Sequence, residues 1–211
     1  LALLGTAAEA SRQQASADHD RQFEADGGNV TGALVDPVDR AVLEALDRVG
    51  GPAVSERAAL SVIPFSSERK LMAAFYASGR GVVVSAKGAP RRILELSSKL
   101  STPDGEFAID DAHRAALVAV NDRFAGAGLR VLAVARGEVS GPSEDALHGL
   151  TFVGFIGLAD PPAAGVKETI ARLREAGLRT VMLTGDQRLT AESVGRELGV
   201  LGAGDRSLDG R

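Results

Sequence analysis

Three short β-rich runs follow one another in the middle of the chain, at residues 60–65, 72–76 and 81–86, broken by turn residues such as Ser78-Gly79. Runs of this length joined by turns read as antiparallel strands. Such a sheet must be covered by helices, and the flanking sequence supplies them. Residues 1–15 read as a short helix, and 16–33, polar and glycine-bearing, as a loop. Asp36 is a good N-cap, with Pro37 at the first helical position, where its missing N–H costs nothing. Val38, Ala41, Val42, Ala45, Leu46 and Val49 recur behind it at helical spacing, and Gly50-Gly51 stops the helix. Helical spacing returns from residue 90 to about 100 through Ile93, Leu94 and Leu96. It returns again from about 111 to 127, where Leu117, Val120 and Phe124 share a face. Residues 130–135 read as a further strand and 137–149 as a polar loop.

The last third changes rhythm. A strand at 152–158 leads to Asp160-Pro161-Pro162, and a helix carrying Val166, Ile170 and Leu173 ends at Gly177. A strand at 179–183 meets Thr184-Gly185-Asp186, and a final helix carrying Ala191, Val194 and Leu198 ends at Gly199. Strand–helix–strand–turn–helix predicts a parallel, doubly wound sheet. The expected fold is therefore α/β: a mostly antiparallel domain, then a piece of a Rossmann-like domain, with a boundary near Asp160.

Composition narrows the function. A hydrophobic fraction of 45% and a mean hydropathy of +0.04 suffice for a normal core. A net charge of -4 and a pI near 5.5 argue against a general nucleic-acid binder. The absence of cysteine excludes disulfides, thiolate metal sites and a Cys nucleophile. His19, His113 and His148 are too scattered for a His-rich metal site, and no metal-binding residue is assigned. The most apolar stretch, residues 150–159, is half the ~20 residues that cross a bilayer and reads as a buried strand. No basic region precedes an apolar core at the N-terminus, so no signal peptide is expected. A chain starting at Leu1 and ending in a Gly- and Asp-rich turn region reads as a fragment.

Five places suggest chemistry, each with a plainer reading beside it. Lys87, before Gly88-Ala89-Pro90, puts a cation at a strand end where glycine lets backbone approach a ligand; it also reads as a solvated lysine before a turn. Phe65, in a charged turn, could stack on a base or be core at a strand end. Asp39 could accept a hydrogen bond from an adenine amino group or simply stabilise the first helical turn. Thr184-Gly185-Asp186 sits at the strand edge where open α/β sheets bind ligands, although that tripeptide is common. Asp160-Pro161-Pro162 suits a hinge between domains or a rigid connection.

The ordered set decides among these readings. The chain carries DPVDRAV (36–42), PFSSERKLM (64–72), KGAP (87–90), GLRVLAVA (128–135), GLADPP (157–162) and VMLTGDQRLTAESVGRELGV (181–200). This series resembles the P-type cation-transporting ATPases over nearly the whole chain. The resemblance implies an antiparallel-sheet nucleotide-binding domain with flanking helices over residues 1–157. It implies a partial phosphorylation domain, a haloacid-dehalogenase-like Rossmann segment, over 158–211. Phe65 resembles the aromatic that stacks on adenine, Lys87 the lysine deep in the pocket, with Gly88 giving close approach, and Lys70 and Met72 further pocket residues. Arg130 resembles the arginine that contacts phosphates and helps bridge the domains, and Asp39 stands where the family has glutamate near the adenine. Asp160, Pro161 and Pro162 resemble the hinge, and Thr184, Gly185 and Asp186 the loop that approaches the γ-phosphate.

Some family features are replaced or missing. Asp39 is one methylene shorter than Glu, Arg91 stands where Glu commonly follows KGAP, and Ala163 where Arg often follows DPP. No Asp here is followed by Lys, so the nucleophile of the family's DKTGT motif is not in these residues, nor is its GDGxNDxP loop. The resemblance thus implies binding of ATP without turnover. In the parent pump it implies Mg²⁺, an aspartyl-phosphate, and as partners the membrane helices, actuator domain and rest of the phosphorylation domain, on the cytoplasmic face of a membrane. The motifs are more like those of Ca²⁺, Mg²⁺ or Na⁺/K⁺ pumps than of heavy-metal pumps. Two other readings compete: a haloacid-dehalogenase-like phosphatase with a large cap domain, and a non-catalytic nucleotide-binding regulatory module.

Overall fold

The computed structural model describes residue 3 and residues 6–11, 37–49, 58–202 and 204–208. The loop expected at 16–33, the N-cap Asp36 and the stop at Gly50-Gly51 lie outside them. A seven-stranded sheet organises the chain. Its strands are β1 (Ser61–Ile63), β2 (Leu71–Ser78), β3 (Gly81–Gly88), β4 (Ser97–Thr102), β5 (Gly105–Ala108), β6 (Arg130–Val139) and β7 (Leu150–Leu158), in the order β1-β2-β3-β6-β7-β4-β5. The three runs expected to be antiparallel are so, and β6 continues the pattern against β3. One parallel pair, β4 with β7, breaks it.

Helices α1 (Pro37–Arg48), α2 (Pro90–Leu96), α3 (Asp111–Gly126), α4 (Val166–Glu175) and α5 (Arg188–Glu197) follow the expected apolar spacing closely, and residues 6–11 are helical. The helix expected to reach residue 100 stops at Leu96. Residues 97–102 are instead β4, which forms a hairpin with β5. Ser97 ends α2 in an extended conformation, and its hydroxyl takes the Ile93 carbonyl as acceptor, at 2.7 Å.

The chain divides into two compact units. The first comprises Leu1–Ala115 and Leu132–Ile156, the second Ala116–Val131 and Gly157–Arg211. In the first, direct cross-strand partners share a sheet face. Met72, Lys87 and Val134 therefore form one row across β2, β3 and β6. Ala7, Ala8, Val42 and Leu46 pack around Val134, while Ala10 packs with Met72, Ala74 and Tyr76. The other face buries Leu71, Ala73, Phe75, Val84 and Ala86. Each large apolar side chain so buried stabilises the fold by about 1.5–3 kcal/mol before the entropy of ordering is counted.

The second unit holds the clearest departure from expectation. Residues 179–183 form no strand and pair with none among the described residues, so the expected parallel, doubly wound sheet is not present there. A strand exists only through its ladder, and apolar character alone does not make one. Val181 and Leu183 are 71% and 92% exposed.

Candidate functional site

The first unit carries a buried polar cluster built by three elements. On α1, Asp39 is three residues before Val42 and seven before Leu46, so all three share the face turned to the sheet. On β3, the alternation that sends Val83 and Ser85 to that face sends Lys87 there too. Asp39 is 2% exposed and Lys87 6%, and the Lys87 ammonium pairs with Asp39 Oδ1. Lys87 Nζ also donates to Ser11 Oγ at 2.8 Å, from the helical residues 6–11. Beside it, Ser85 donates to Glu9 Oε2 at 2.7 Å, and the Tyr76 hydroxyl donates to the Glu9 carbonyl at 3.0 Å. The solvated reading of Lys87 is thereby overturned. Its strand position sends the stem into the core, and Asp39 supplies the counter-charge that a buried ammonium requires.

Gly88 ends the same strand. A Cβ there would lie 2.7 Å from Leu71 Cα and would also strike the Lys70 carbonyl. Its lack of a side chain therefore serves the close approach of β2 to β3. Met72, the cross-strand partner of Lys87, is fully buried, whereas Lys70 is exposed and holds a left-handed φ of 56°.

Phe65 stands in the loop before β2 and is 55% exposed, so the reading of it as a core residue fails. That loop is closed on itself by Lys70 N donating to Ser66 O and tied to β3 by Ala89 N donating to Lys70 O, each at 2.8 Å. Arg69 adds further ties, with Nη2 donating to the Pro64 carbonyl at 3.1 Å and Nε 4.0 Å from Glu144. Sequence reasoning passed over Arg69, Ser11 and Glu9, because their partners are distant in sequence or are backbone atoms that leave no motif.

A second group gathers in the second unit. Arg130 Nε lies 3.7 Å from Asp186 Oδ1, and Thr184 Oγ1 donates to Asp186 Oδ2 at 3.0 Å while accepting from Asp186 N at 3.1 Å. The Thr184-Gly185-Asp186 turn thus precedes α5, whose N-cap Gln187 exchanges hydrogen bonds with Asn121 of α3. Thr190 fastens α5 by donating to the Leu129 carbonyl at 3.0 Å. Asp160, Pro161 and Pro162 lie in irregular backbone, with Asp160 and Pro161 exposed. Arg130 and the Thr184-Gly185-Asp186 turn are therefore brought together within one unit, and Asp39, Lys87 and Met72 within the other.

The chain is similar to known proteins along most of its length. A family model described as P-type ATPase, cytoplasmic domain N, matches residues 11–165. The chain is 35% identical over 185 residues to calcium-transporting ATPase 1 of Yarrowia lipolytica, an alignment covering 85% of this chain and 20% of that protein. It is 35% identical over 147 residues to the probable cation-transporting ATPase F of Mycobacterium tuberculosis, covering 67% of this chain and 16% of the relative. It is 30% identical over 169 residues to the sodium/potassium-transporting ATPase subunit alpha-A of Artemia franciscana, covering 74% and 17%. The chain spans about a fifth of the length of the curated relatives it matches.

Proposed function

The chain belongs to the P-type ATPases, and on that premise we propose that it is the ATP-binding part of a cation pump. Residues 1–157 serve as the nucleotide-binding domain and 158–211 as part of the phosphorylation domain. The observation that carries the reading is a fixed buried pair, Asp39–Lys87, at the end of a strand whose neighbouring loop holds an exposed aromatic ring. Phe65 offers a face on which adenine stacks. Asp39 and Lys87 offer an acceptor and a cation for the polar groups of the nucleotide, with Lys70, Met72 and Gly88 shaping the pocket around them. Arg130 and the Thr184-Gly185-Asp186 turn meet the phosphate end, and Asp160-Pro161-Pro162 serves as the hinge.

In the whole protein, ATP hydrolysis through an aspartyl-phosphate would drive a cation across the membrane, on whose cytoplasmic face this part would lie. Within these 211 residues no Asp precedes a Lys, so ATP binds here without turnover. Mg²⁺ would accompany the phosphates. Among the described residues no three acidic or histidine side chains are grouped to hold a metal, so no step is assigned to it.

Calorimetry of ATP against the chain and its Phe65→Ala variant tests the proposal. Saturable binding is expected, weakened by about 1–3 kcal/mol in the variant, or roughly 5- to 150-fold. No saturable binding at millimolar nucleotide would overturn it, and sustained hydrolysis by the isolated chain would overturn the absence of turnover.

A further inference from the structure

Arg130 and Asp186 both lie at the surface of the second unit, their side chains 60% and 37% exposed, with Nε 3.7 Å from Oδ1. An exposed ion pair at that distance contributes too little to hold two chain segments together. The segments are fastened beside the pair instead. Leu129, the residue before Arg130, accepts a hydrogen bond at its carbonyl from Thr190 Oγ1 at 3.0 Å. Gln187, the residue after Asp186, meets Asn121 of α3 amide to amide. Asn121 Nδ2 donates to Gln187 Oε1 at 3.1 Å, and Gln187 Nε2 donates to Asn121 Oδ1 at 3.4 Å. Asn121 Nδ2 also donates to Asp122 Oδ1 at 3.1 Å, so two acceptors fix which way its amide faces. Asn121 and Thr190 are 4% and 5% exposed, so these bonds are sheltered from water as the ion pair is not. Gly128, with a left-handed φ of 81°, brings the same corner against Ser193 of α5, whose Oγ would lie 3.2 Å from an added Cβ. Gln187 makes no side-chain cap bond to α5, so its amide serves the link to α3 and not the start of its own helix.

We propose that Asn121 and Gln187 are positioning residues for the phosphate end of the site, setting the Thr184-Gly185-Asp186 turn against Arg130 so that guanidinium and turn present one prearranged surface, while neither amide touches the nucleotide. This rests on the reading of Arg130 and the turn as phosphate contacts. It implies that the amide pair contributes to recognition of the phosphates and not of the base.

The nitrogen-15 spectrum of the nucleotide-free chain reads the geometry through the Arg130 Nε–H signal, identified by its loss in Arg130→Lys. Asp186→Asn is expected to move that signal in the otherwise native chain and to move it far less in a Gln187→Met background. Calorimetry then compares ATP, inorganic tripolyphosphate and adenosine. Gln187→Met is expected to weaken ATP and tripolyphosphate alike, roughly 2- to 12-fold, and to leave adenosine unchanged. Gln187→Asn keeps an amide and a good N-cap but is one methylene too short to reach Asn121. It is expected to behave as the methionine variant does, which guards against a folding defect. In an Arg130→Ala background Gln187→Met should have no further effect on either ligand. Three results would each overturn the proposal: adenosine weakened as much as ATP, an undiminished loss in the Arg130→Ala background, or an Arg130 signal that answers Asp186→Asn equally with and without Gln187. If the wild-type chain binds neither ATP nor tripolyphosphate while that signal still depends on Gln187, the phosphate reading of Arg130 fails, and the amide pair stands as a structural fastening alone.

Discussion

A carboxylate and an ammonium buried together are tolerable, while either alone is costly. Asp39 and Lys87 are 3% and 8% exposed as side chains, with apolar clusters on both sides. Asp39→Leu is therefore expected to destabilise the chain by about 3–5 kcal/mol in a urea titration. The double variant Asp39→Leu/Lys87→Met should recover most of that loss, because it removes both charges. The same logic warns that weaker ATP binding by Lys87→Ala would mix pocket and fold, so Phe65→Ala is the cleaner probe. Gly88→Ala is a separate case. Its new Cβ would meet backbone that cannot yield, so a loss of about 1–3 kcal/mol is expected even without ligand. An unchanged urea midpoint would mean that β2 and β3 can part there. The sequence pointed to Asp39, Lys87 and Phe65 individually because their motifs are local. It was silent on the pairing, because the helical face of α1 was read from its apolar residues, and the buried face in fact includes Asp39.

At the scale of elements, start signals are local chemistry. Asp110 precedes α3 and accepts the His113 backbone N–H at 2.8 Å, closing the first turn. That backbone hydrogen bond, and then the His113 ring at 2.7 Å, holds the Asp110 carboxyl below its ordinary range. A carboxylate with a depressed native pKa stabilises the fold above its unfolded pKa, and this contribution is lost as pH falls through the native value. Asp110→Ala should accordingly melt lower than wild type at neutral pH, with the gap closing in strong acid. Asp110→Asn should keep the cap and lose the pH dependence. Thermal melts followed by circular dichroism from neutral to strongly acidic pH check both. The β4–β5 hairpin had a readable sign, the turn Pro103-Asp104 followed by Gly105, but the helical spacing at residues 93–96 was carried too far into it. The expected strand at 179–183 failed for another reason, since its apolar run Val181-Met182-Leu183 is real but a ladder needs a neighbour, which a single segment's sequence does not supply.

Across the whole molecule the two units differ in how much they bury. The first buries both faces of its sheet along β2 and much of β3, with Phe75, Leu71, Met72, Leu46 and Val134 inaccessible or nearly so. Among the described residues of the second, burial is limited to small or polar positions such as Asn121, Ala125, Thr190 and Gly195, with Val131 and Ile170 the larger apolar contributions. Local opening is easiest where few apolar contacts hold the backbone. Amides of α4 and α5 are therefore expected to exchange with deuterium well before those of β2 and β3, and trypsin should cut at the exposed Arg179 before it cuts at Arg136 within β6. Mass spectrometry of exchanged and nicked samples reads both. Equal protection in the two units would mean that the second is held by more than its own side chains. Early cleavage at Arg179 would instead assign the exposure of Val181 and Leu183 to a segment whose stability has to come from contacts that these residues do not make among themselves.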